Sequence, residues 1–195
     1  MPRELIKYGN PILRAKSSAV ESFDEDLAEL ARDLKETLIE EKGLGLAAPQ
    51  IGVSKKVFVI DMRLRSNTDA PCNFTIDGKA LPLDIAMPLV AVNPEVFEEG
   101  DYIISADEGC LSFPGIFAEI ERSEKVRMKY FDVDGNPHEL RCDDLFARCV
   151  QHENDHLNGV CFIDRARQKE LFKISAKLRK LKKQTRELLK HQSEK

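Results

Sequence analysis

A chain of 195 residues, 42% hydrophobic and 33% charged, is long enough for one domain with a sizeable core and does not require a second. Its formal net charge of −4 provides no global field that would point to nucleic acid or an acidic substrate. The charge is uneven, however: from Arg165 to Lys195 there are 12 Lys+Arg against 3 Asp+Glu, net +9, so the residues before them carry −13.

Five cysteines, Cys72, Cys110, Cys142, Cys149 and Cys161, form an odd set without a C-x-x-C pair. That pattern argues against a disulfide framework and for a reducing compartment, with the cytoplasm as the expectation. The opening "MPRELIKYGNPILR" has no apolar leader region, and no apolar run reaches the ~18 residues a membrane span needs, so neither secretion nor membrane insertion is expected.

The first predicted element is a helix over "DEDLAELARDLKETLIEEKG". Asp24 can cap it, Leu27, Leu30, Leu34 and Leu38 recur at helical spacing, and Gly43 follows as a stop. "GLGLAAPQIG" (Gly43 to Gly52) matches the dinucleotide pattern at Gly43, Gly45 and Ala48. It follows a helix rather than a strand, though, and Pro49 stands where a phosphate-binding helix should continue. Small residues there fit close approach of backbone to a ligand, with Gln50 supplying an amide N–H for a developing oxyanion.

"KKVFVID" (Lys55 to Asp61) and "PLVAVNPEVF" (Pro88 to Phe97) read as strands. The stretch between them from Arg65 to Pro88 holds three prolines and reads as a surface loop or insertion. In "DEGCLSFPG", Cys110 precedes a Pro-Gly turn; alone, it reads more readily as a small core residue than as a ligand. "EKVRMKYFD" and "PHELRCDD" flank Val133-Asp134-Gly135-Asn136, predicting a hairpin with Asp-Gly at its turn.

A helix from about Asp144 to Leu157 follows, with Asp143 or Asp144 as its cap and Gly159 as its stop. A last helix from about Gln168 carries Leu171, Ile174, Leu178, Leu181 and Leu188 beneath many basic side chains. That pattern is open to three readings: a helix docked on the body, a dimer seam through its leucines, or a cationic face for RNA phosphates.

The Asp144–Leu157 helix carries the chemistry. Leu145, Cys149, His152 and His156, spaced 4, 3, 4, share one stripe, so two imidazoles face the same way as the apolar residues. Histidines one turn apart can bind one metal ion, and Glu153 beside them can reach water: this is H-E-x-x-H. In a chain with 4 histidines, two at i, i+4 around a glutamate on a core-facing stripe is a poor fit to chance. Beside that motif, Cys110 becomes the candidate third ligand.

Other readings stay open on these residues. A metallopeptidase would use a third His or Glu downstream, where His191 and Glu170 are among few choices. An RNA-associated protein with a purely structural metal would need four protein ligands and neither Glu153 nor Gln50.

"GLGLAAPQIG", "EGCLSFPG" and "QHENDHLNG", in this order, resemble the three signature motifs of the peptide deformylase family, and "YGNPILR", "NPEV" and "SEKVRMKYFDVDG" extend the likeness to about Asp164. The resemblance implies an α+β fold: antiparallel strands around a central metal-binding helix, with an N-terminal and a C-terminal helix. Residues 1–164 would form the catalytic domain and 165–195 a basic helical extension of it. The implied activity is hydrolysis of the formyl group from N-formyl-L-methionine on new polypeptides, releasing formate.

By matching position, the resemblance makes Cys110, His152 and His156 metal ligands and Glu153 the acid/base, with Gln50 and the Leu111 N–H on the formyl oxygen. Leu44, Gly45, Glu108, Leu145 and Cys149 would line or edge the methionine pocket and its peptide groove. The family metal is typically Fe²⁺, and Zn²⁺, Ni²⁺ or Co²⁺ can occupy such ligands. The implied partners are formylmethionyl nascent chains and, through the basic helix, the ribosome. Two positions depart from some members: Phe117 stands where an arginine occurs, and Arg148 where an aliphatic residue occurs. Asp155 is expected to pair with Arg122.

Overall fold

A computed structural model describes residues 2–65 and 72–193. The leucine-spaced segment forms α1 (Glu25–Glu41). The Asp24 carboxylate accepts the Leu27 N–H at 3.2 Å, satisfying one of the helix's free donors, and Leu27, Leu34 and Leu38 bury one face. Lys42, not the expected Gly43, ends the helix, taking the left-handed conformation at φ 54°. Gly43 is small for another reason: a Cβ there would lie 2.7 Å from Leu111 Cδ1.

Among the described residues, six strands form one sheet: β1 (Gly45–Ala47), β2 (Val57–Ile60), β3 (Phe74–Ile76), β4 (Leu89–Gly109), β5 (Phe117–Phe131) and β6 (Pro137–Asp143). Their order is β1-β2-β4-β5-β6-β3, and every neighbouring pair is antiparallel. The unbroken "VFVI" of β2 is explained by burial on both faces. Val57 and Val59 join the α1 leucines, while Phe58 and Ile60 join Phe146, Ala147 and Val150 of α3 (Asp144–Leu157). The sheet thus lies between α1 and α3, and α3 is the central helix that the sequence predicts.

Three sequence expectations change here. β4 runs on past Phe97 to Gly109, with register shifts at Val92/Glu95 and Glu99/Ile103. Its far half is largely exposed, so no apolar alternation marks it, and the irregularities absorb residues such as Gly100, at φ 80°. The Arg65 to Pro88 stretch is not all loop: β3 pairs with β6, and α2 (Leu83–Ala86) precedes β4. Residues 66–71 of that stretch lie outside the described residues. The hairpin closes at Phe131↔Pro137, so its loop is residues 132–136 rather than a two-residue turn. Asp132 organises that loop by accepting the N–H groups of Asp134 and Asn136 at 2.9 and 2.8 Å.

The last helix, α4 (Gln168–Ser193), docks on the body. Leu171, Ile174, Leu178 and Leu181 pack with Phe113, Ile116, Cys161 and Phe162, so the stripe a dimer seam would have needed is occupied by the chain itself. Leu188 remains exposed. Among the described residues, no helix is long and apolar enough to cross a membrane.

Candidate active site

The 4, 3, 4 stripe of α3 meets the segment after β4. Cys110 Sγ lies 3.3 Å from His156 Nε2, and one donor atom from each of Cys110, His152 and His156 falls within 4.8 Å of the others. Tetrahedral metal coordination at about 2.0–2.3 Å would place its ligand atoms about 3.3–3.6 Å apart, so these three donors suit one ion. His152 Nδ1 is engaged by Glu108 Oε2 at 3.0 Å, which leaves Nε2 as the nitrogen available for ligation. His156 Nδ1 and Glu153 Oε2 are buried without a hydrogen-bond partner among the described residues. Orphaned polar atoms of this kind are costly in a site that binds nothing.

Above these donors opens a cavity of ≈ 520 Å³. Its lining brings together Leu44, Gly45, Gln50, Glu108, Cys110, Leu111, Leu145, Cys149, His152 and Glu153, while His156 sits buried beside it. Burial pushes the Glu153 carboxyl up to about 7, against the opposing effect of His152. Gln50 is held in one orientation: its Oε1 accepts the Ala47 N–H at 2.8 Å, and its Nε2 donates to Cys110 Sγ at 3.4 Å and Ser112 Oγ at 3.3 Å. β1 passes so close to α3 that a Cβ on Gly45 would lie 2.8 Å from both Cγ and Cδ of Glu153.

The sequence model of the polypeptide deformylase family matches residues 2–172. The chain belongs to the polypeptide deformylase family. A peptide deformylase of Opitutus terrae is 41% identical over 187 residues, spanning 95% of this chain and 96% of that one. A solved Plasmodium falciparum peptide deformylase superposes with a TM-score of 0.80 at 32% identity, covering 94% of this chain and 97% of the other. A Thermotoga maritima peptide deformylase gives 0.71 at 36%, covering 86% and 99%.

Within this family fold, the site is supported by a buried ionic cluster. Arg122 grips both oxygens of Glu108 at 2.9 and 3.0 Å and donates to Asp155 at 2.6 Å, which is the pairing expected from sequence. Arg165 adds a second bidentate grip on Asp155, at 2.6 Å for each bond. Burial alone would raise the Glu108 carboxyl, but His152 and Arg122 hold it well below the usual range. Glu108, expected at a groove edge, does line the cavity, yet its hydrogen bonds run to His152 and to arginines rather than outward. Arg148 is buried, while Phe117 is exposed at the cavity rim.

Sequence reasoning missed Ser112, Lys7 and Arg165. Lys7 donates to the Leu111 carbonyl at 3.1 Å, and the N–H groups of Ile6 and Tyr8 bond Gln50 O and Ser112 O at 2.8 and 3.0 Å. The N-terminal arm thereby ties the Gln50 turn to the Cys110 turn. Only "YGNPILR" hinted at that role, and a hint from motif position carries no contact information.

Proposed function

We propose that this chain hydrolyses the N-formyl group from N-formyl-L-methionine at the start of newly made polypeptides and releases formate. The observation that carries this reading is the convergence of three metal-suited donors with Glu153 and Gln50 around one cavity, in a chain of this family. A divalent ion held by Cys110, His152 and His156, with Fe²⁺ favoured and Zn²⁺, Ni²⁺ or Co²⁺ able to use the same donors, would acidify a water and polarise the formyl carbonyl.

The remaining steps fall to side chains and backbone. Glu153, buried and with no partner at Oε2 among the described residues, takes the proton of the attacking water and later passes it to the leaving amine. Gln50 Nε2 and the Leu111 N–H hold the formyl oxygen as charge develops on it. Leu44, Gly45, Leu145 and Cys149 receive the methionine side chain, with Glu108 behind His152. A structural metal is disfavoured, because among the described residues the group has three donors rather than four and adjoins an open cavity.

The test is formate release from formyl-Met-Ala by protein kept anaerobic with Fe²⁺, run beside an unformylated peptide. Formate from the first and no cleavage of the second is expected; cleavage of the unformylated peptide would favour a metallopeptidase.

The cytoplasm is the proposed compartment, in keeping with free thiols on all five cysteines. For α4 we propose ribosome contact through the exposed Lys177, Arg179, Lys180 and Lys183. Replacing Arg179, Lys180 and Lys183 by Gln should weaken salt-sensitive ribosome binding and leave turnover of a short formyl peptide intact; equal ribosome binding would reject the contact.

A further inference from the structure

Arg148 lies one helical turn before His152 on α3, mostly buried at the edge of the cavity. Its three hydrogen bonds among the described residues all leave the helix. Nη1 donates to Glu108 Oε1 at 2.7 Å and to the Ile120 carbonyl of β5 at 3.0 Å, and Nη2 donates to the Ile104 carbonyl of β4 at 2.7 Å. Glu108 Oε1 therefore receives Arg122 and Arg148, while Oε2 receives Arg122 and presents itself to His152 Nδ1.

Arg122 forks both oxygens of Glu108 from the sheet side. Its third donor is committed to Asp155, which Arg165 holds in turn, so Arg122 serves two carboxylates at once. Arg148 grips Glu108 from the helix side and is itself fixed to two different strands. The planar fork makes this possible, because one guanidinium serves the carboxylate and two carbonyls together.

We infer that Arg148 is a positioning residue for the metal-binding imidazole of His152, acting through the Glu108 carboxylate. With Glu108 pinned, Oε2 receives the Nδ1–H of His152, which fixes the tautomer and turns Nε2 toward Cys110 and His156. The inference rests on the metal reading of Cys110, His152 and His156.

A thermodynamic cycle tests it. Zn²⁺ affinity is measured by competition with a chromophoric chelator for the wild type, Arg148→Met, Glu108→Gln and the double variant, with Arg148→Lys alongside. Arg148→Met should weaken Zn²⁺ binding by about 10- to 100-fold, the usual range when support behind a ligating histidine is lost. Arg148→Lys should recover part of this, since an ammonium can meet Oε1 but cannot also fork to both carbonyls. In the Glu108→Gln background, Arg148→Met should add less than about 2-fold, the signature of two residues acting as one unit.

Unchanged Zn²⁺ affinity in a folded Arg148→Met protein would overturn the inference. So would a full loss that persists in the Glu108→Gln background, which would assign Arg148 to holding the helix alone. If Arg148→Met does not fold, Arg148→Lys carries the same cycle. A wild-type chain that takes up no Zn²⁺ refutes the metal reading itself, a result distinct from either of these.

Discussion

Gly45→Ala places a methyl group against the side chain proposed to move the proton. The new Cβ would lie 2.8 Å from Cγ and Cδ of Glu153 and nearer still to Oε1. Ordinary contact is about 3.5 Å, so the side chain must retreat by about 0.7 Å or more. Rotation about the last bond cannot relieve this, because Cγ is as crowded as Cδ. Glu153 is buried on a helix packed against the sheet, so the shift is resisted. Overpacking of this kind costs about 1–3 kcal/mol, or about 2–12 °C in Tm for a chain of this size.

Displacing a catalytic group by about 1 Å can cost roughly 10²-fold in rate, and losing a general base altogether roughly 10²–10⁴-fold. Gly45→Ala should therefore lower kcat for formyl-Met-Ala by about 10²-fold while metal content stays at the wild-type value. The same substitution in a Glu153→Ala background should cost little stability, because the atoms it strikes are gone. Near-normal turnover in Gly45→Ala would refute the placement of Glu153. An equal loss of Tm in both backgrounds would refute the steric argument, since the strain would then come from elsewhere.

Cys110→Ser replaces a soft sulfur by a hard oxygen and should weaken Zn²⁺ binding or shift metal preference, as read by metal analysis after dialysis; unchanged metal content would remove Cys110 from the ligand set. Asp24→Ala removes the carboxylate that accepts the Leu27 N–H and should cost about 1 kcal/mol, or about 2–4 °C in Tm, without changing turnover. An unchanged melt would show that the cap contributes nothing. His138 titrates between two carboxylates: burial alone would lower its pKa, but bonds to Asp77 at 2.7 Å and Asp132 at 3.3 Å raise it. A folded pKa above the unfolded one gives stability that is complete below about pH 6.5 and lost as pH rises through the folded value. His138→Gln should thus lower Tm more at about pH 5.5 than at about pH 8.5, and an equal loss at both would contradict the pairing.

What the sequence reveals follows from how far each interaction reaches along the chain. α3 is legible because its signal is local: three and four residue spacings set the stripe, and a polar group on it stands out. Cys110 and His156 are separated by 46 residues, and no periodicity connects them; the family motifs supplied that link. β3 escaped notice because three half-buried residues offer too little alternation to register. The far half of β4 escaped because its inward positions, Ile104, Ala106 and Glu108, are half-buried or polar, so the alternation they make carries little apolar signal. Gly43 shows the converse error, a residue correctly marked as special and given the wrong reason.

The extension of β4 also resolves why α3 can turn polar groups inward. A buried imidazole, carboxylate or guanidinium is tolerable only where a partner meets it. The partners for α3 come largely from the end of that strand: Glu108 for His152 and Arg148, the Ile104 carbonyl for Arg148, and Cys110 just beyond for the histidine pair. Had β4 ended at Phe97, as its apolar pattern suggests, none of these groups would be delivered to the helix. The polar stripe and the long strand are therefore one structural decision. The sequence displays only its helical half, because a helix writes its pattern every three or four residues, whereas the inward face of this strand end is a half-buried isoleucine and alanine followed by a buried glutamate, which reads as no apolar strand.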